Sequence, residues 1–413
     1  MKSMNIKTLA LFTADPWESA MPVIRVRAPA RFAGVRVLQG NHSDAINTSV
    51  LGQCDGIVIQ RDFPRFPGCE ELIRQARAKK IPVIYECDDM ILETPKDHIS
   101  HTVFIDVLYK ILRVMLQADL VVTSTQALAD YFKDINPNTH VFPNYLDDSI
   151  WTIREKPMQI EKDGPIVIGY MGGASHLPDL ELVAPVLLSL DEKYGSRIVY
   201  SFWGAPPPEK IKNLGNATWH EMNLQDYGEF ARHFGECHAD IWIAPLQDIP
   251  FNQYKSAIKF MEYTAVGGPT IFSRTRPYTE VIRDGRTGLL ASTPADWENG
   301  LLRLIEDPEL RKKLAVGARR SLVDTWLLSD HYNNWVDTYA SGLSDAKARD
   351  DHSTRRALVT FLRISEQVEN RVASLESEIA DLRAQLGKYT HISNSRIWHI
   401  VQFMRRMIHR GEG

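Results

Sequence analysis

Three groups of residues in this chain have types and spacings that suit chemistry. The densest lies in Asp240–Glu280. An apolar run, Ile241–Pro245, reads as a buried parallel strand, and a polar loop with Asn252, Tyr254, Lys255 and Ser256 follows it. A helix is expected from about Ser256, stopped by Gly267-Gly268-Pro269 before Thr270-Ile271-Phe272 begins the next strand. Lys255, Lys259 and Glu262 would then occupy the first turns of a helix beyond the carboxyl end of a strand. Open α/β sheets bind ligands there, and a helix N-terminus flanked by lysines suits an anion such as a diphosphate. An ordinary strand–helix unit with solvated charges fits the same spacing. The second group is Ile168-Gly169-Tyr170-Met171-Gly172-Gly173 with Ser175, His176 and Asp179. Here a strand runs into a glycine pair that lets backbone amides approach a phosphate. Such glycines also serve plain turns, and a loop histidine is usually solvated. The third group is Glu86-Cys87-Asp88-Asp89, closing a buried strand. The aspartates are either an N-cap and loop or crevice carboxylates that contact a substrate hydroxyl; with no residue between them they make no metal-binding DxD pair. Arg25 and Arg27 precede Ala28-Pro29 in the same part of the chain.

Positioning these groups requires two α/β units. Between residues 5 and 150, strands are expected at Ile6–Phe12, Val35–Leu38, Gly56–Gln60, Pro82–Glu86, Leu120–Thr123 and His140–Phe142. Helices are expected at Cys69–Lys80, Val103–Gln117 and Gln126–Phe132. Continuous apolar strands alternating with amphipathic helices argue for a parallel, doubly wound sheet. The charged, aperiodic stretch Trp151–Asp163 reads as a linker. A second series follows, with strands at Pro165–Gly173 and Ile198–Trp203, a helix at Asp226–Cys237, the Asp240–Glu280 stretch, and helices at Pro294–Glu306 and Pro308–Asp324. The expected domains are residues 1–152, 153–342 and a helical tail, 343–413.

At 413 residues the chain is too long for one core. A net charge of -4 gives no electrostatic case for nucleic acid. Four scattered cysteines, Cys54, Cys69, Cys87 and Cys237, show no zinc spacing and fit a reduced, cytoplasmic setting. The first residues read better as a strand than as a signal peptide, and no run is long enough to span a bilayer.

With these residues assembled, the block YKSAIKFMEYTAVGGPTI and YTEVIRDGRTGLL resembles the carboxyl-terminal domain of the GT-B-fold glycosyltransferases of retaining family 4 (group 1), of the bacterial surface-polysaccharide type. The Gly172-Gly173 loop stands where that family has its diphosphate loop. Ala118–Thr125 and Val141-Phe142-Pro143-Asn144 match the end of its acceptor domain. The resemblance implies two Rossmann-like domains facing a crevice, a nucleotide-sugar donor, a glycan or lipid-linked glycan acceptor, and no metal or cofactor. Glu262 matches the second glutamate of the family's paired motif, which holds the donor ribose. The first glutamate falls at Tyr254, and the loop's arginine and lysine fall at Tyr170 and His176. Lys255 and Lys259 are inferred to supply the positive charge instead, with Gly172, Gly173, His176, Tyr170, Tyr254 and Ser256 completing the donor site. Asp88 or Asp89 takes the place of an acceptor-domain histidine. A sugar-nucleotide epimerase of the same fold, or a non-catalytic donor-binding or scaffold subunit, is the competing reading.

The tail differs in character. Phe361, Val368, Leu375 and Leu382 form one seven-residue series, and Ser365, Val372, Ile379 and Leu386 form another. Their four–three alternation predicts a coiled coil over about 361–389 and a homodimer; a single amphipathic helix packed back on the enzyme is the alternative. Residues 395–410 read as a basic amphipathic helix for an anionic membrane surface, which would place the protein peripherally on the inner face of the cell membrane, or for a partner enzyme.

Overall fold

The computed structural model describes residues 6–154, 164–222, 224–346, 352–393 and 398–401. It divides into two compact units, residues 1–352 and 353–413.

The larger unit contains two six-stranded parallel sheets. In the first, the order across the sheet is Arg36–Gln39, Thr8–Phe12, Gly56–Gln60, Val83–Cys87, Leu120–Thr123, Thr139–Val141. The second runs Ala217–His220, Ile198–Gly204, Ile166–Gly172, Ile241–Ala244, Thr270–Ser273, Leu289–Ala291. Both sheets reverse their winding beside their first strand. The topological switch points therefore lie at Phe12/Gln60 and at Gly172/Ala244, and ligand crevices form at such points. Central strands such as Gly56–Gln60 and Val83–Cys87 are buried along their whole length, as the uninterrupted apolar runs require.

The expected elements fall close to their predicted bounds, with four differences. Helix Ile258–Val266 starts later than expected, because Pro250–Tyr254 forms a separate 3₁₀ turn and Lys255 is extended. Lys255 and Ser256 consequently precede the helix, and only Lys259 and Glu262 ride on it. Gly267 ends that helix at φ 102°, where a side chain would be strained. The predicted Val103–Gln117 helix is two, His101–Ile105 and Leu108–Gln117. Residues 20–32 form short α and π turns, and Ala217–His220 is an additional, largely exposed edge strand; neither has the period that marks a longer element.

The fourth difference concerns helix Leu328–Ala346, most of which lies within the predicted second domain. Its Leu328, Trp335, Tyr339 and Leu343 are buried in one cluster with Leu9, Leu11, Val58, Ile84 and Leu120 of the first sheet. Gly342 lies so close to Leu120 that a Cβ would collide with that side chain. The chain thus returns to its first domain. The smaller unit is built on a helix of 42 residues, His352–Ser393. The predicted basic helix of residues 395–410 lies mostly outside the described residues; Trp398, Ile400 and Val401, which are described, are exposed. Among the described residues no helix is long and apolar enough to cross a membrane.

Trp335→Ala should destabilise the chain by about 3–5 kcal/mol, the usual cost of deleting a large buried aromatic, as read by urea unfolding. A loss within experimental error would mean that this helix does not complete the first core.

Candidate active site

The second domain contributes the floor of the site. Strand Ile166–Gly172 ends beside helix Ile258–Val266, and Lys259 reaches across, its Nζ donating to the Met171 carbonyl at 3.0 Å. The same carbonyl accepts from the Tyr263 hydroxyl at 2.7 Å, and the Met171 amide donates to that hydroxyl at 3.0 Å. The Lys259 ammonium also lies 5.3 Å from the Tyr170 ring centroid. A Cβ at Gly172 would collide with both the Tyr170 hydroxyl and the Lys259 ammonium. The missing side chain therefore makes room for that hydroxyl and ammonium against the end of the strand, where Gly172 is itself buried. The Tyr170 hydroxyl is fully buried there and has no hydrogen-bond partner among the described residues.

Lys259 is only 8% exposed and Glu262, one turn on, 7%. Burial pulls the Lys259 ammonium below its ordinary value against the attraction of Glu262 and Asp179. Burial likewise raises the Glu262 carboxyl, which Lys259 partly offsets. The Tyr227 hydroxyl donates to Glu262 Oε1 at a long 3.4 Å and accepts from the Trp151 indole at 3.1 Å.

His176 is committed to a different bond. Its Nδ1 lies 2.7 Å from Asp179 Oδ2, whose other oxygen accepts from the Gln247 amide at 2.8 Å. Because a carboxylate only accepts, Nδ1 carries the proton and Nε2 of the neutral ring is an acceptor. Burial and Lys259 hold the imidazole well below its usual range. The histidine is therefore suited to receive a hydroxyl rather than to donate to a phosphate.

The first domain supplies the opposing wall. Asp88 meets Arg61 at 3.3 Å, and Asp89 meets Lys255 of the second domain at 3.5 Å. Burial opposes the Asp89 charge, but Lys255 and Arg61 prevail and keep its carboxyl below the ordinary range. Arg61 is held protonated against burial by Asp88, Asp15 and Asp89. Arg61 and Asp15 follow the two strands of the first switch point; neither belongs to a motif of the sequence, although a position after a strand's carboxyl end, which singles out Asp88, marks them equally. Beneath this wall Arg25 and Glu86, each with a fully buried side chain, form an ion pair at 2.6 Å. Gln60 donates to the second Glu86 oxygen at 2.8 Å. Arg25 also donates to Asn144 Oδ1 at 2.7 Å, which leaves the Asn144 amide nitrogen free to donate to Ser256 at 2.8 Å.

The loop before the helix thus belongs to both domains. Phe251 is buried in the core of the first domain, with Ile249 and Tyr254 packed against it. Thr125, the N-cap of helix Gln126–Phe132, donates across to the Tyr254 carbonyl at 2.9 Å. The Tyr254 ring packs edge-on against Tyr131 of the first domain, with centroids 5.8 Å apart. Of the predicted residues, Gly172, Tyr170, Lys259 and Glu262 are brought together around one helix start. Lys255, Ser256, Asp88 and Asp89 meet at the domain boundary, and Tyr254 faces the first domain. A cavity of about 370 Å³ opens between the domains, lined by Asp97 and His98 on one side and by Ser175, His176, Gln247 and Lys255 on the other. Among the described residues no group of three or more His, Cys, Asp or Glu is placed to hold a metal ion.

The family described as glycosyl transferases group 1 matches residues 225–321, which include the helix carrying Lys259 and Glu262. This segment is a group 1 glycosyltransferase domain. The group 1 domain and its partner together have the GT-B fold, as solved structures show. Anabaena HepE in complex with UDP-glucose is 13% identical with a TM-score of 0.57, over 82% of this chain and 100% of that one. Sucrose-phosphate synthase from Thermosynechococcus elongatus is 13% identical with a TM-score of 0.58 over the same shares. Among curated relatives, a D-inositol 3-phosphate glycosyltransferase of Nocardioides is 29% identical over 158 residues, 34% of each chain. Its counterpart in Stackebrandtia nassauensis is 24% identical over 226 residues, 50% of each chain. The chain therefore matches a third to a half of the length of these relatives.

If the Lys255–Asp89 pair helps hold the loop on the first domain, Asp89→Asn should speed hydrogen exchange in the 247–257 segment. A pair of this partial exposure contributes up to about 1 kcal/mol, so the change should be roughly two- to fivefold. Unchanged exchange would assign the docking to Phe251, Tyr254, Thr125 and Asn144 without the ion pair.

Proposed function

We propose that this protein transfers a glycosyl group from a nucleotide-sugar donor to an acceptor hydroxyl, with retention at the anomeric carbon. The observation that carries this reading is the buried Lys259 ammonium held against the strand end at Met171 and Gly172. An amine that has lost most of its water at the carboxyl end of a strand beside the switch point favours an anionic ligand.

In this reading the donor diphosphate lies over Gly172 and Gly173, with Lys259 and the Tyr170 hydroxyl as its donors. As the glycosidic bond to the phosphate breaks, negative charge grows on the departing diphosphate. A preorganised cation in a dry site stabilises that charge more than it stabilises the ground state. Glu262 accepts hydrogen bonds from the donor ribose, and the His176 Nε2 accepts one from a sugar hydroxyl. The acceptor enters from the first domain, where ionised Asp89, paired with Lys255, orients its hydroxyl. Attack comes from the same face as the leaving group, and the leaving phosphate oxygen takes the acceptor's proton. Domain contact through Phe251, Thr125 and Asn144 excludes water from the glycosyl centre. The acceptor is a glycan or lipid-linked glycan in surface-polysaccharide assembly, handled at the inner face of the membrane. HepE with UDP-glucose supports a nucleotide-sugar donor, and the group 1 match supports glycosyl transfer.

Donor candidates are found by thermal shift, since a bound ligand raises apparent stability by mass action. With the donor so identified, Lys259→Ala and Glu262→Ala should each lower kcat/KM by about 10²–10³, the usual cost of removing a preorganised partner of the transition state. Full activity in either variant, with unchanged unfolding, would remove that residue from the site. Donor turnover to an epimer without any acceptor would replace transfer by isomerisation.

The pH dependence has a definite sign. Burial lowers the Lys259 value, so the charge is present at low and neutral pH and is lost as pH rises through the lowered value. The kcat/KM profile, which reports the free enzyme, should fall on its alkaline side earlier than an ordinary lysine would dictate. In Lys259→Arg that limb should move beyond the measurable range; an identical limb would exclude Lys259 as its source.

A further inference from the structure

We propose that helix His352–Ser393 is the dimerisation element of this protein, pairing in parallel and in register with the same helix of a second copy. Leu358, Phe361, Val368, Val372, Leu375, Ile379, Leu382 and Leu386 are between 39% and 66% exposed, an apolar stripe along the smaller unit interrupted only at Ser365. The stripe extends the expected heptads by one position, Leu358, and spans about 42 Å at the α-helical rise. A helix leaving such a stripe in water gains nothing from its amphipathic face, which is where most helical stability in proteins arises.

The charges beside the stripe select the occupant and its direction. With Leu358, Ser365, Val372, Ile379 and Leu386 at a, Arg371 and Glu378 fall at g and Glu369, Glu376 and Arg383 at e. In a parallel, in-register pair, Arg371 meets Glu376 of the other copy and Glu378 meets its Arg383. Symmetry repeats both contacts, so four pairs attract and none repels. An antiparallel pair would bury the same apolar residues, with Ser365 opposite Leu382. It would oppose Arg371 to Glu378 favourably but set Glu369 against Glu376, so half of its charge pairs would repel. Within one helix Arg371 reaches Glu378 only at 3.8 Å between exposed side chains, a weak contact that pairing replaces. In the two central heptads, Val372 and Ile379 at a with Leu375 and Leu382 at d are the choice that favours two parallel strands.

The test uses the full chain. Sedimentation equilibrium at micromolar concentration should give twice the chain mass, and Leu375→Asp should give the monomer with unchanged thermal unfolding of the larger unit. Arg371→Glu should raise the dimer dissociation constant by about tenfold, since it turns two attractive pairs repulsive, and adding Glu376→Arg should restore it. Under mild oxidation Ser365→Cys should cross-link to itself, with the unmodified chain and its own cysteines as the blank. Monomeric mass in the unmodified chain would overturn the proposal. So would cross-linking seen only when Ser365→Cys is mixed with Leu382→Cys, which marks antiparallel pairing.

Discussion

Burying a lysine ammonium against the end of a strand constrains everything around it. Lys259 loses most of its hydration and receives in return one carbonyl, one aromatic face and the attraction of Glu262. That compensation is incomplete, which is why its charge is held less firmly than an ordinary lysine's. The surrounding sequence follows from accommodating it. Gly172 must lack a side chain, Tyr263 must fix the Met171 peptide with its hydroxyl, and Gly267 must end the helix in a left-handed turn. Replacing any of these by a bulkier or apolar residue would move the ammonium or leave a buried polar group unmatched.

The second constraint is that the loop preceding this helix is shared. Its apolar members sit in the first domain's core, while its carbonyl and hydroxyl groups accept from Thr125 and Asn144. Asn144 is in turn oriented by Arg25, whose charge is matched by Glu86 with both side chains fully buried. A buried ion pair of this kind adds little net stability but penalises any arrangement that separates it. A chain of fixed contacts therefore links the floor of the first domain to the segment that positions Lys259. The return of helix Leu328–Ala346 to the first core ties the two domains a second time.

Much of this was legible in the sequence, for identifiable reasons. Gly56–Gln60, Leu120–Thr123 and Gln126–Phe132 fall as predicted because unbroken apolar runs and a threonine N-cap leave few alternatives. Thr293-Pro294 and Asp296 set the start of helix Pro294–Glu306 through a capping box. Other features depend on tertiary contacts that no local pattern reports. The fate of Leu328–Ala346 was invisible because an amphipathic helix does not say which sheet it will cover. Tyr254 aligns with a ligand-binding position yet faces the first domain, because Phe251 and Thr125 anchor its loop there. The commitment of His176 to Asp179 was foreshadowed only by a three-residue spacing, and it changes the group from a possible donor to an acceptor.

The central claim, that the depressed Lys259 ammonium receives the donor diphosphate, is tested most directly by proton counting. UDP, GDP and ADP would be titrated calorimetrically at pH about 9, where their phosphates are fully ionised, in buffers of different ionisation enthalpy. An anion arriving at a partly neutral amine raises its proton affinity, so the nucleotide that binds should take up a fraction of a proton, and Lys259→Met should abolish that uptake. Binding of equal strength with no proton uptake, or the same uptake in Lys259→Met, would contradict the account.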